Sequence, residues 1–193
     1  TAEFRVSRPP GGVPMFTASS LRFTVKTQEL RRGAHGRVLG ADAFSPCALE
    51  PTHPDLFWYG IHGVESLFTL MGPGCETVTR VSTPGTDVAV GVWKDGRVGV
   101  FRGNRAAASK YGATVYLDKG VQTVDDFKGY ELLLAEIVAF FRTGVAPVAP
   151  PETLELFAFM EAAHESKRLG GVPVSVAAVL ERARAEAAAI PLE

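Results

Sequence analysis

The sequence predicts an α+β domain in which helices cover one face of an open, mostly antiparallel β-sheet. Three observations carry that expectation. Val88, Val90 and Val92 alternate with small residues, Lys94-Asp95-Gly96 supplies a turn, and Val98, Val100 and Phe101 continue outward, the pattern of a β-hairpin. Ile61, Val64, Leu67, Phe68 and Met71 recur at three- and four-residue spacing, one face of a helix that Gly72-Pro73-Gly74 ends. The last third of the chain reads as successive helices.

Taken in order, Arg8-Pro9-Pro10-Gly11-Gly12 is a loop signal, and Val13-Pro14-Met15-Phe16 reads as a short strand. Lys26 to Arg32 has helical composition and meets a left-handed stop at Gly33. Arg37 to Phe44 alternates as a strand, and Pro46 to Asp55 is irregular and proline-broken. Cys75 to Ser82 and Ala113 to Leu117 are further strands, flanking the hairpin. Tyr130 to Arg142 is an amphipathic helix stopped by Gly144. Pro151-Glu152 opens a helix to about Leu169, closed by Gly170-Gly171, and Ser175 caps an alanine-rich helix to about Ala189.

Composition excludes several classes. At 193 residues, with 46% hydrophobic and 21% charged residues, the chain buries enough surface to need neither disulfides nor a structural metal. Lys plus Arg total 20 against 21 Asp plus Glu, a net charge of −1, which argues against a broad basic face for nucleic acid. The most apolar stretch, Leu132 to Phe141, is broken by Glu136 and is too short to span a bilayer. No basic-then-apolar leader opens the chain, so a cytoplasmic setting is expected. Cys47 and Cys75 lack CxxC neighbours and read as two buried thiols. No GxGxxG or GxxxxGK[ST] occurs, and Gly72-Pro73-Gly74 ends a helix where a phosphate loop would open one. GxSxG is also absent.

The densest cluster of chemically capable side chains runs from Cys47 to Glu65. A metal reading would use Glu50, His53, Asp55 and His62, but their spacings are irregular for zinc. A polyol reading uses Trp58 and Tyr59 as apolar faces for sugar C–H groups, with His62 and acidic neighbours holding hydroxyls. His62 falls in the first turn of its helix, where the helix dipole favours the neutral imidazole, and Glu65 lies one turn on, placed to orient the ring. The alternative on spacing alone is that His62 and Glu65 form an ordinary polar pair and the aromatic residues cover a helix end. His35, His164 and the basic group Arg97, Arg102, Arg105 and Lys110 read as solvated, the last protecting a strand edge.

Residues 53–81 (HPDLFWYGIHGVESLFTLMGPGCETVTRV), 91–103 (GVWKDGRVGVFRG) and 129–171 (GYELLLAEIVAFFRTGVAPVAPPETLELFAFMEAAHESKRLGG) together resemble the C-terminal half of Gfo/Idh/MocA-type oxidoreductases. The resemblance runs from about Val13 to about Leu180, and VPMFTASSLRF at 13–23 is similar to the last strand of that family's nucleotide domain and the crossing that follows. It implies that residues 1–23 are the end of a Rossmann domain. Residues 24–193 would then be the substrate-binding and oligomerisation domain, with subunit contacts through the open sheet face. It also implies NAD or NADP in an intact parent and none for this chain alone, since the glycine-rich turn and a Glu-Lys-Pro lysine would lie upstream. His62 matches the histidine of the family's helix signature and Glu65 its later acid, but Trp58 stands where the family has aspartate. Asp55 or Glu50 is then a candidate to replace that carboxylate.

The expectation that follows is a sugar- or polyol-binding, homo-oligomerising domain that does not transfer hydride alone. His62 would be its catalytic residue in the parent, with Tyr59, Trp58, Arg22, Glu65 and Asp55 contacting substrate. The rivals are a catalytically silent binding or scaffold protein of the same fold, and a hydrolase or lyase using His62 with Glu50 or Asp55.

Overall fold

A computed structural model describes residues 14–106 and 110–190. Its centre is a seven-stranded sheet in the order β6-β5-β1-β4-β3-β2-β7. The strands are β1 (Val38–Pro46), β2 (Cys75–Ser82), β3 (Thr86–Trp93), β4 (Val98–Asn104), β5 (Gly112–Leu117), β6 (Gly120–Val124) and β7 (Val174–Ser175). Every pairing is antiparallel except β1 with β4. The helices are α1 (Val25–Arg31), α2 (Asp55–Trp58), α3 (Ile61–Met71), α4 (Glu131–Thr143), α5 (Pro150–Arg168) and α6 (Val176–Ala188), preceded by a 3-10 turn at Ser20–Phe23.

The helix stops act where the glycines stand. Gly33, Gly72, Gly144 and Gly170 all carry positive φ, which residues with a Cβ adopt at a cost. Ser175 accepts from the Ala178 N–H and so caps α6. Three expectations are corrected. Pro14 to Phe16 has no regular structure and pairs with no strand among the described residues, and Val13 lies outside them. β6 and the two-residue β7 were not expected: each is a short edge strand without a hydrophobic alternation of its own. α4 has the amphipathic pattern but buries none of its side chains fully, and Phe140 meets Phe16 edge-on at 5.1 Å.

The sheet's two faces differ in size of side chain. On the inner face Ala41, Ala43, Ala89, Gly91 and Gly99 are buried beneath α3 and α5 and are small. That leaves room for Trp93, Phe101, Phe68 and Phe159; a Cβ on Gly91 would meet Phe159 and Trp93 at 2.8 Å. Gly63 lets α3 approach the sheet, since a Cβ there would meet Phe101 at 2.5 Å and Ser45 Oγ at 2.7 Å. The valines of the hairpin point the other way. Val92 pairs with Val98 and Val90 with Val100 on a face that no helix among the described residues covers, leaving Val92 40% and Val98 45% exposed.

A charge is also buried on the inner face. Arg80 is fully buried and donates to Asp87 and to Asp55, and Arg105 donates to the other oxygen of Asp87. Arg105, expected on a solvated edge, is therefore a structural ion-pair member, whereas Arg102 is exposed. Burial alone would raise the Asp87 carboxyl, but hydrogen bonds from Ser82, Arg105 and Arg80 outweigh it and hold it below its ordinary value. Asp87→Ala should cost about 3–5 kcal/mol in urea unfolding, because Arg80 stays buried with half its counter-charge gone. Asp87 contributes stability above its unfolded value of about 3.9 and loses it as the pH falls through the lower folded value, so Asp87→Ala should also flatten the acid limb of the stability curve. A small loss, or an unchanged acid limb, would contradict the assignment.

Candidate functional site

The site forms where α2 turns into α3. Gly60 allows the turn, for a Cβ there would meet Leu56 O at 3.0 Å and Cys47 Sγ at 3.1 Å. His62 then emerges in the first turn of α3. Its Nδ1 lies 3.1 Å from Ser19 Oγ, its ring meets Tyr59 edge-on at 5.6 Å, and it meets Tyr111 edge-on at 6.1 Å. Tyr111 continues through Phe127 to Tyr130 as an aromatic row. Burial, then Tyr59, pushes the Tyr111 phenol up to about 12. Burial pushes the His62 imidazole below its usual value, so the ring is neutral at pH 7.

The expected pairing of His62 with Glu65 does not form. Glu65 is buried and accepts from Arg22 Nε, while Arg22 Nη1 donates to Glu152 at 2.7 Å. Arg31 completes Glu152 with a second pair at 2.8 Å. Burial pushes the Glu65 carboxyl up against the pull of Arg22. Burial also opposes ionisation of Glu152, but Arg31 and Arg22 together hold it below its usual range. Arg22, at 2% exposure, and Glu65 are thus committed to an interior ion cluster that fastens the 3-10 turn to α3 and α5.

Asp55 starts α2 and faces another way: Lys167 lies 2.7 Å from Oδ2 and Arg80 3.0 Å from it, with His164 at 3.8 Å. Burial would raise this carboxyl, and Lys167 and Arg80 lower it further than burial raises it. Trp58 is 43% exposed and stacks obliquely on His53 at 4.8 Å. Thr52 lies between Glu50 and the His53 ring. Among the described residues, no group of three or more His, Cys, Asp or Glu side chains could hold a metal ion. Cys47 and Cys75 are separate buried thiols; burial raises both, Cys75 to about 12, so neither is a thiolate at pH 7. His35 pairs with Glu29 at 3.0 Å. The glycine pair at 72–74 offers no dinucleotide cradle, since the Gly72 N–H is bonded to Phe68 O and the Gly74 N–H to Glu155.

Sequence reasoning missed Ser19 and Tyr111. Both lie far along the chain from His62 and carry no motif; only the fold joins the 3-10 turn and the start of β5 to α3.

No family model and no curated protein matches this sequence. Solved structures do match, and the likeness is one of fold, over part of the length of several inositol dehydrogenases. Scyllo-inositol dehydrogenase from Lactobacillus casei, solved with NAD(H) and scyllo-inositol, matches with a TM-score of 0.65 at 14% identity over 82% of this chain and 62% of its own. Myo-inositol 2-dehydrogenase from Lactobacillus plantarum matches at 0.67 with 12% identity, over 83% and 65%. Myo-inositol dehydrogenase from Lactobacillus casei, solved with NAD(H) and myo-inositol, matches at 0.64 with 12% identity, over 82% and 61%. The chain therefore spans less than two thirds of each of these proteins. Its open, mostly antiparallel sheet with helices on one face is the architecture that the Gfo/Idh/MocA resemblance implied.

His62 should titrate below 6.5 when followed by NMR, and native stability should fall as the pH drops from about 6.5 towards the folded value, because the unfolded chain binds the proton first. A His62 midpoint above 6.5 would mean that a counter-charge, absent from the contacts above, outweighs burial.

Proposed function

We propose that this chain is the polyol-binding and subunit-contact domain of an NAD- or NADP-dependent oxidoreductase, with the cofactor held by a preceding domain. The observation that carries this reading is the cluster of a neutral His62 with Tyr59, Tyr111 and Ser19, on a fold shared with enzymes solved with inositols. Cyclic polyols present equatorial hydroxyls around an apolar ring. An imidazole, two phenols and exposed aromatic faces at Tyr59 and Trp58 offer hydrogen-bond partners and C–H contacts without a fixed charge. Arg22 and Glu65 serve this site from behind, by fixing the backbone that carries Ser19 and His62. Asp55, engaged by Arg80 and Lys167, fixes the start of α2 and so the position of Trp58 and Tyr59.

In such a parent the nicotinamide would accept or supply the hydride. With the cofactor on a preceding domain, the role of this chain is to bind and orient the polyol and exclude water around the reacting carbon. Alone, it should not catalyse hydride transfer.

The uncovered valine face supports the second half of the reading. Val90, Val92, Val98 and Val100 form a cross-strand apolar patch, bordered on β1 by Gly40 and Asp42 and, beyond Gly40, by Tyr116 of β5. Such a patch is costly to leave in water and fits the same face of a second copy. A stand-alone scaffold of the same fold is favoured instead by Trp58 in the place of an aspartate.

Trp fluorescence tests the binding site, since Trp58 is exposed beside it while Trp93 is buried. Inositols should change the emission saturably, NAD and NADP should not, and His62→Ala should weaken binding by roughly tenfold, the worth of one hydrogen bond of about 1.4 kcal/mol. No polyol response would leave the scaffold reading. Sedimentation tests the face: the chain should be a dimer or larger, and Val92→Lys with Val98→Glu should yield monomers with stability within about 0.5 kcal/mol of the parent. A monomeric parent chain at high concentration would refute the subunit contact.

A further inference from the structure

We infer that Ser19 is a positioning residue that holds His62 in its Nε2–H tautomer, so that His62 meets a ligand as a hydrogen-bond donor and prefers a ketone oxygen to a polyol hydroxyl. The inference deepens the polyol-site reading and rests on it for the identity of the ligand, but its tautomer half stands on the chain alone.

The argument is one of counting donors and acceptors. Ser19 Oγ accepts from the Leu21 N–H at 3.3 Å, as the N-cap of the 3-10 turn. Its own hydroxyl proton must go elsewhere, and Ser19 is buried. Among the described residues the remaining partner of Oγ is His62 Nδ1 at 3.1 Å. If Nδ1 carried the proton, the ring would donate to Ser19 and the hydroxyl proton would be a buried donor without an acceptor. If Nδ1 is bare, it accepts the Ser19 proton and every group is satisfied. The ring proton then sits on Nε2, which has no hydrogen-bond partner among the described residues and is not one of their buried unpartnered atoms.

The surroundings agree. Tyr59 and Tyr111 are the aromatic groups facing the ring, and no charged side chain contributes to the downward shift of His62. A protonated ring would have to donate from both nitrogens, again leaving the Ser19 proton unplaced. A neutral Nε2–H cannot take a proton from a hydroxyl, because its lone pair is on the other nitrogen and is occupied. It can donate to an oxygen lone pair, and a carbonyl offers two of these with no proton of its own to place.

The test uses nitrogen-15-labelled chain and two-bond proton–nitrogen NMR of the imidazole, with His62 assigned by the signals lost in His62→Gln. The expected pattern at pH 7.5 is a pyrrole-type Nε2 and a pyridine-type Nδ1. Ser19→Asp keeps the cap but has no proton to donate, so it should invert the pattern to Nδ1–H and raise the His62 midpoint. Ser19→Thr, which keeps the hydroxyl, should restore the parent pattern. A parent ring protonated on Nδ1, or a pattern indifferent to Ser19→Asp while the fold is intact, would overturn the inference. With ligands, a ketone derivative of a cyclic polyol should bind several-fold more tightly than the polyol, and Ser19→Asp should abolish that preference. Binding of neither ligand, with the tautomer pattern as expected, would count against the polyol-site reading and leave the Ser19 lock standing; equal binding of both would remove the ketone preference.

Discussion

The arrangement of this molecule depends on one buried guanidinium. Arg22 leaves the 3-10 turn and divides its donors between Glu65 of α3 and Glu152 of α5. Both helices meet the sheet largely through apolar contacts, which are strong but do not fix rotation or register, and α5 adds hydrogen bonds from the Arg80 N–H to Ser166 and from the Cys75 N–H to Glu155. The ion cluster does, because a buried carboxylate without its partner costs several kcal/mol, far more than a small sliding of packed side chains. Arg31 adds a second tie, donating to the Thr69 carbonyl of α3 as well as to Glu152. Ser19 stands three residues before Arg22, so fixing that guanidinium also fixes the hydroxyl that meets His62.

The sheet solves a complementary problem of space. Its inner face carries two bulky rings, Trp93 and Phe101, and compensates with Ala and Gly at the neighbouring positions, so α3 can approach through Gly63. The outer face keeps the β-branched residues that stabilise strands but, among the described residues, has no layer above it. The two faces thus differ: one closes the core, and the other is the one proposed above to meet a second copy. Arg80 is the exception on the inner side, and its partners Asp87 and Asp55 link β2 and β3 to the start of α2. In this way the second ion cluster sets the site's other wall.

Much of this was legible in the chain. Glycines at 33, 72, 144 and 170 marked helix ends because only they tolerate the left-handed turn. The Val-Ala-Val-Gly-Val-Trp alternation marked β3, although it is the valines, not the small residues, that face outward. Other features needed the fold. Arg80 alternates in phase with Val78 and lies on the inner face with it, yet nothing local names its partner seven residues away across a hairpin. Glu65 sits at helical spacing from His62, and spacing alone favoured that pair. The closer guanidinium, 43 residues back in sequence, won because a charged pair in the interior outweighs a neutral hydrogen bond. Ser19 and Tyr111 were invisible for the same reason: a hydroxyl and a phenol have no pattern until tertiary structure brings them to a ring.

The electrostatic character of the site follows from what stands around that ring. A carboxylate beside an imidazole stabilises the charged form and makes the far nitrogen a better base, at about 1.4 kcal/mol for each pKa unit gained. Here the position four residues before His62 holds an indole, the nearest carboxylates of α2 and α3 are spoken for by Arg80, Lys167 and Arg22, and the near nitrogen meets a hydroxyl. All three facts act in one direction, towards a neutral ring. On the proposed polyol reading, such a site would gain affinity from hydrogen bonds and from the faces of Trp58 and Tyr59, and would lack the means to draw off a proton unaided. Any base for oxidising a bound polyol would then come from outside the groups that surround His62.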